Sequence, residues 1–368
     1  MKRIILCADG TWNVRDQVDR ETGKRRPTNV TKIARAILAR APNGVHQIVY
    51  YHDGIGTEGG AVDRITDGAF GHGMEDNIRT LYRFLVYNYQ PDDEIFLFGF
   101  SRGAFTVRSL AGFLNRVGLI EKDDDYFVPE IYDCYEKGYL QGSPEWLQAF
   151  KQTKNIRPCP PIRFLGVWDT VGALGAPGFL GRIVNGGKYK YHDIGLHQAI
   201  ENAYHALAVD EKRRPFAPDI WTRPSSWNGV LVQAWFAGVH TNIGGGYAPD
   251  GLANETLHWI VEKAEDLGLA VDHQYLAYFE PHFDSVLRDS MSLKYRLMGG
   301  PKSRVIGEYR SHGECIHQSA IDRWNDPTTA YRPTNLSAVA RGTAALPVVN
   351  TTRIARGRGA ESSATVTP

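Results

Sequence analysis

Glu94–Phe100 reads EIFLFGF, an almost uninterrupted apolar run; it ends at Ser101-Arg102-Gly103, and apolar residues resume at helical spacing over Phe105–Val117. A strand without polar alternation must be covered on both faces, which is the situation of strands in parallel sheets. The helix behind it is then a crossover, and the chain is constrained to a layered α/β architecture. Four further apolar runs repeat the pattern: Ile4–Ala8, His46–His52, Ile162–Trp168 and Val230–Val239. They end in Asp9-Gly10-Thr11, Asp53-Gly54-Ile55-Gly56, Asp169-Thr170-Val171-Gly172 and, for the last, His240 followed by Gly244-Gly245-Gly246. Between them, Thr28-Asn29 offers an N-cap to a helix carrying Val30, Ile33, Ala34, Ile37 and Leu38 on one face. The same periodicity predicts helices over Asp76–Tyr89 and Leu196–Val209, with the glycine-rich stretch 56–73 as loop.

The fold class expected is therefore α/β, a mostly parallel sheet flanked by helices, in one domain over residues 1–349. Residues 121–160 and 176–229 interrupt the alternation and read as lid-like insertions, since segments placed after sheet strands commonly cover sites. Their aromatics, among them Tyr126, Phe127, Tyr132, Tyr135, Phe179, Tyr189, Tyr191 and Phe216, suit either an apolar channel or plain packing against the domain. Residues 350–368 are rich in Ser, Thr, Ala, Gly and Arg and read as a disordered tail. A net charge of +1 supplies no field to draw nucleic acid, so nucleic-acid binding is not expected. No apolar run reaches the roughly 18 residues of a membrane-spanning helix, which leaves peripheral membrane contact open. The start, MKRIILCADGTWN, lacks the apolar core and cleavage site of a signal peptide, so the expectation is a cytoplasmic protein, with export by a signal-less route compatible. Four well-separated cysteines show neither C-x-x-C nor zinc spacing and read as reduced thiols. Oligomeric state is not legible in this pattern.

Gly99-Phe100-Ser101-Arg102-Gly103 is a G-x-S-x-G between a buried strand and an apolar helix, the context that a nucleophile elbow requires. Its serine sits on a strained turn, and the flanking glycines let strand and helix backbones approach. A serine nucleophile needs a base and an orienting acid, which in α/β-hydrolases follow in the order Ser, acid, His at strand ends. Asp169 and His240 meet that order and those positions. His317 is the rival base, set aside because no comparable apolar strand precedes it; His205, inside the expected Leu196–Val209 helix, reads as a structural or lid residue. Backbone N–H groups of Arg102, next to the nucleophile, and of Gly10 and Thr11, on the neighbouring turn, are the candidate oxyanion donors. Asp9-Gly10-Thr11 also resembles the D-x-D-G-T of haloacid-dehalogenase phosphatases, but Cys7 stands where their nucleophilic Asp would be. Two alternatives accompany the serine mechanism. One is a metal-assisted phosphoesterase built on Asp9, Asp53, Asp169 and His240, for which no ligand spacing speaks. The other is a catalytically silent hydrolase-fold binding protein. The serine reading requires neither metal nor cofactor.

The chain resembles a family of α/β-hydrolase domains that includes the phospholipase effectors of bacterial type VI secretion. The matching segments are CADGTWN, LFGFSRGAF, FLGVWDTVGALG, HALAVDEKRRPF (His205–Phe216), WFAGVHTNIGGGY and IHQSAIDRW (Ile316–Trp324), in the family's order, from residue 1 to about 335. The resemblance implies an α/β-hydrolase fold, a Ser101–Asp169–His240 triad, and an ester or lipid substrate, the effector members cleaving acyl esters of phospholipids. In size the chain looks like a catalytic domain alone, so the membrane-docking extensions of larger effectors are not expected in it.

Overall fold

The computed structural model describes residues 1–353 apart from 11–12, 14–15, 20, 55–66, 140, 152–154, 173–192 and 298; for 67–72 and 294 it describes the backbone alone. Eight parallel strands form the central sheet: β1 (Arg3–Ala8), β2 (Gln47–His52), β3 (Glu94–Phe100), β6 (Ile162–Trp168), β7 (Asn202–Ala208), β8 (Val230–Phe236), β9 (Glu314–His317) and β10 (Val348–Val349). The short β4 (Leu119–Ile120) and β5 (Ile156–Arg157) pair antiparallel outside it. Across the sheet the order is β10-β9-β8-β7-β6-β3-β1-β2.

The strands earn their position through two-sided burial. Along β1 and β3, Ile4, Leu6, Ile95 and Leu97 enter one apolar layer, while Ile5, Cys7, Phe96 and Phe98 enter the other. The first layer is closed by α2 (Asp67–Asn88) and α3 (Arg102–Val117), through Ile78, Leu81, Leu85, Val107, Leu110 and Leu114. The second is closed by α1 (Asn29–Ala36) and the helix Gly251–Glu265, through Val30, Ile33, Leu257, Trp259 and Ile260. As expected, Thr28 caps α1, its hydroxyl accepting from the Thr31 N–H at 3.2 Å.

From β1 the chain first steps outward to β2, then crosses β1 to lay down β3 on its other side, and from there continues outward through β6 to β10. The order thus reverses between β1 and β3, and the crevice at their carboxyl ends is where open parallel sheets bind ligands. Asp9, Gly10 and Ser101 stand at that crevice.

Three expectations are corrected. Leu196–Val209 contains no helix: Asn202–Ala208 is strand β7, inside the sheet, so the expected 176–229 insertion encloses a core strand. With Ala203, Ala206, Leu207 and Ala208 wholly buried, both faces of this strand are apolar, and two-residue alternation disappears. A strand does lead to His317, because β9 ends on it. Helix α2 begins at Asp67, inside the stretch expected to be loop; residues 56–66 lie outside the described residues. In the 121–160 insertion, Tyr132 and Tyr135 of α4 (Val128–Glu136) are buried against Phe113, so these aromatics pack the insertion down. Tyr126 is exposed, and Phe179, Tyr189 and Tyr191 lie outside the described residues. The described chain reaches β10 and Arg353; the rest of the expected tail lies outside it.

Candidate active site

Ser101 turns the chain from β3 into α3 at φ 58° and ψ −121°, a strained conformation for a side chain with a Cβ. Close packing holds it there. A Cβ on Gly99 would lie 2.6 Å from Gly103 O, and one on Gly103 would lie 2.1 Å from Ala8 O, so only glycines let α3 press onto β3 and β1. The Ser101 N–H donates to Trp168 O at 3.0 Å, tying the elbow to the end of β6. Its side chain projects over the carboxyl edge of the sheet.

His240 follows β8 as the first residue of the helix His240–Gly244, and Asp169 follows β6. The structure brings the three together. His240 Nε2 lies 2.8 Å from Ser101 Oγ, and His240 Nδ1 lies 2.6 Å from Asp169 Oδ2. All three are buried. Asp169 also has a left-handed backbone, φ 41°, and its turn is fixed by its own N–H to Ala206 O at 2.8 Å and the Thr170 N–H to His205 Nε2 at 3.0 Å. His205 is thus a sheet residue bracing the acid's turn; burial first, then the Arg108 cation, push its pKa down to about 3, which keeps it a neutral acceptor.

The acid has a partner that the sequence reading missed. The Arg304 guanidinium spans both Asp169 oxygens, at 2.6 and 3.0 Å, and also donates to Ala208 O and Phe216 O. The Ala208 N–H adds a fourth donor to Asp169, 3.0 Å from Oδ1. Burial would push the Asp169 carboxyl up, but Arg304 and the bond to His240 overcome it and hold the group well below the usual carboxylate range. Burial pushes His240 down from its ordinary value, against the opposing pull of Asp169, and favours the neutral imidazole that a general base needs. Glu211, paired bidentately with Arg213, accepts the His240 backbone N–H at 3.2 Å. Rings enclose the imidazole: Phe100 at 4.7 Å between centroids, and Phe216 edge-on at 5.0 Å, with Tyr295 a further 6.0 Å from Phe216. His205, Glu211, Arg213 and Phe216 all fall within the HALAVDEKRRPF segment, which was a usable signal. Arg304 sits in an aperiodic stretch and carried none.

Of the oxyanion candidates, Arg102 opens α3, where a helix leaves backbone N–H groups outside its own ladder. The Gly10 N–H is taken by Asp9 Oδ1 at 2.7 Å, and Thr11 lies outside the described residues. Gly10 is nonetheless close to the nucleophile, since a Cβ added to it would meet Ser101 Cβ at 3.1 Å.

The carboxylates do not converge into a metal cage. Asp9 accepts from Thr28, Thr31, Tyr51 and Gly10, while Asp169 is spanned by Arg304. Among the described residues no three His, Cys, Asp or Glu side chains are grouped to hold an ion. The Asp53 carbonyl accepts from His52 Nδ1 at 2.8 Å. His317 is engaged elsewhere, capping the helix Gln318–Asn325, stacking on Phe236 and meeting Thr351 Oγ1 at 3.1 Å.

The uncharacterized protein YEL023C of Saccharomyces cerevisiae is 32% identical over 236 residues, which cover 58% of this chain and 32% of the yeast protein. A crystal structure of an uncharacterized protein from Pseudomonas aeruginosa shares 17% identity and a TM-score of 0.46, over 77% of this chain and 49% of that one. The Tle1 effector bound to the VgrG spike of the type 6 secretion system shares 21% identity and a TM-score of 0.36, over 67% of this chain and 51% of that one. The chain therefore spans about a third of the yeast relative's length and about half of each structural neighbour's. A family model described as T6SS phospholipase effector Tle1-like, catalytic domain, matches residues 2–263, a span that includes Ser101, Asp169 and His240 and stops short of Arg304. By that match the chain belongs to the family of Tle1-like phospholipase effector catalytic domains.

Proposed function

We propose that this chain is a serine hydrolase that cleaves carboxylic esters of acyl lipids, phospholipids among them. The observation that carries the reading is the continuous chain of contacts Ser101 Oγ–His240 Nε2 and His240 Nδ1–Asp169 Oδ2, at 2.8 and 2.6 Å, at the reversal point of a parallel sheet. In this mechanism His240 takes the Ser101 proton as Oγ attacks the ester carbonyl. Charge on the carbonyl oxygen is met by the Arg102 N–H at the N-terminus of α3. His240 then returns the proton to the leaving alkoxide, giving an acyl-serine. Water, deprotonated by the same imidazole, releases the acid. Asp169 holds the imidazole tautomer and stabilises its charged form, and Arg304 keeps Asp169 ionised and aligned. Membership of a phospholipase effector family supports the lipid substrate.

A fluorophosphonate probe followed by peptide mapping tests the nucleophile, run beside a panel of p-nitrophenyl esters and phospholipids. Labelling of Ser101 alone, with turnover of at least one acyl ester, is expected. Absence of labelling, or activity that survives Ser101→Ala, overturns the reading.

A further inference from the structure

Residues 286–297 and 299–305 form an irregular arm bound to the rim of the candidate active site. Ser290 Oγ donates to Glu211 at 3.1 Å, Arg214 Nε donates to Gly299 O at 2.7 Å, and the Lys302 N–H donates to Lys212 O at 2.9 Å. In its middle is one helical turn, Leu293–Leu297. Tyr295 faces inward, meeting Phe216 edge-on beside His240, and it lies 5.2 Å under the Arg213 guanidinium. With Tyr295 turned in, Leu293 and Leu297, four residues apart on one helical face, are turned out, 73% and 79% exposed. Val286 and Val305, at the two ends of the arm, are also exposed.

Single exposed leucines are common on soluble proteins and need no account. Two on one turn, beside a catalytic cleft and amid cations, are a different matter. Lys212, Arg214, Arg296 and Lys302 are all exposed around this turn. Over 286–305 the sequence holds five basic residues, Arg288, Lys294, Arg296, Lys302 and Arg304, against the single acid Asp289. Arg288 and Arg304 are turned inward, to Asp19 and Asp169, and Arg296 lies 3.5 Å from Asp289 in an exposed pair of little strength.

We propose that the Leu293–Leu297 turn is a docking lip for an anionic phospholipid surface. Leu293 and Leu297 enter the acyl boundary, and Lys212, Arg214, Arg296 and Lys302 meet headgroup phosphates, which sets the Ser101 cleft against the membrane. Apolar tips ringed by cations are the pattern of interfacial membrane contacts. The same ring argues against a second copy on this face, because a self-complementary pair would bring like charges together. The proposal rests on the lipid-ester reading for its purpose, but its binding step stands independently of catalysis.

The test uses the full chain carrying Ser101→Ala, so that binding is read without hydrolysis, and vesicles of phosphatidylcholine with or without phosphatidylglycerol. Co-sedimentation should be strong with phosphatidylglycerol and weak without it. Leu293→Asp/Leu297→Asp should lower the partition coefficient by about tenfold or more, since two apolar side chains leave the interface and two anions face it. Arg214→Glu/Lys302→Glu should do the same only on anionic vesicles. In the Ser101 background, the leucine double variant should keep its rate on p-nitrophenyl butyrate within about twofold, as neither side chain touches the reacting groups. A fluorophore on Leu293→Cys should shift to the blue when anionic vesicles are added. Unchanged partition of the leucine variant, or no spectral shift, overturns the lip. So does a concentration-dependent dimer that the leucine variant abolishes without any vesicle binding, which would assign the face to a second copy. Vesicle binding through the lip by a protein that cleaves no ester would overturn the proposed hydrolase and leave the lip standing.

Discussion

Asp169 accepts four hydrogen bonds, and the two from Arg304 decide its charge. An ionised, buried carboxylate beside His240 favours the imidazolium that forms in the transition state, while burial of the ring disfavours it at rest. Because the His240 pKa lies below its ordinary value of about 6.5, the acid limb of kcat/KM should fall below pH 6.5. The stability consequence runs in the same direction. Below about pH 6.5 the unfolded chain binds a proton at this histidine that the folded chain refuses, so stability declines as pH falls through that range. Asp169 is a depressed carboxyl, so its contribution is fully present above the unfolded value of about 3.9 and is lost only as pH falls toward its folded value. Arg304→Gln removes the cation that holds the buried Asp169 ionised, so the carboxyl takes a proton more readily and supports the imidazolium less. The acid limb should then move to lower pH with a reduced kcat, and urea unfolding at pH 7 should show a loss of about 3–5 kcal/mol, the usual cost of breaking a buried pair. A variant with lowered stability and an unmoved limb would leave Arg304 a purely structural residue. Ser101→Ala should lower kcat by about four orders of magnitude or more while leaving the melting temperature nearly unchanged.

At the scale of elements, the elbow depends on how closely α3 lies on β1 and β3. Gly103→Ala would place a methyl 2.1 Å from Ala8 O and 2.5 Å from Asp9 O, contacts with backbone that cannot yield by a rotamer change. The helix must lift, carrying Ser101 from His240. A destabilisation of at least about 1–3 kcal/mol is expected, with fluorophosphonate labelling slowed in proportion more than thermal stability suggests. A variant labelled at the parent rate would show the elbow to be tolerant of helix displacement. The same close packing explains which elements were legible beforehand. β3 and β6 have the bounds read from EIFLFGF and IRFLGVW, because strands covered on both faces leave no polar residue to blur the run. β7 has the same two-sided cover, but is built from alanines with Tyr204 and His205 between them, so its apolar spacing imitated a helix. β9 and β10 are four and two residues long, too short for periodicity to register. Ser101, Asp169 and His240 were legible because each ends or directly follows such a run; Arg304 reaches Asp169 from 135 residues away, on the irregular stretch of the arm after its one helical turn.

The whole molecule sets which ester fits. One parallel sheet presents Ser101, Asp169 and His240 at its carboxyl edge, and the described wall around His240 is aromatic, made of Phe100, Phe216 and Tyr295. Of the aromatics that the sequence offered for an acyl channel, Phe216 is there, while Tyr132 and Tyr135 pack α4 onto α3. Among the described residues these three rings are the apolar wall nearest Ser101 and His240, and the length of acyl chain they accept can be measured with substrates. Each methylene that leaves water contributes about 0.8 kcal/mol, or up to about fourfold in kcat/KM if it is buried in the transition state. Along a p-nitrophenyl series from acetyl to octanoyl, kcat/KM should therefore climb by up to about fourfold per methylene for as long as the chain lies against Phe216 and Tyr295. Phe216→Ala should flatten that slope while leaving the acetyl ester least affected, because the acetyl group is too short to use the wall. A profile that peaks at acetyl and collapses beyond butyryl would mean a short pocket, and a small-ester hydrolase would replace the acyl-lipid substrate proposed above.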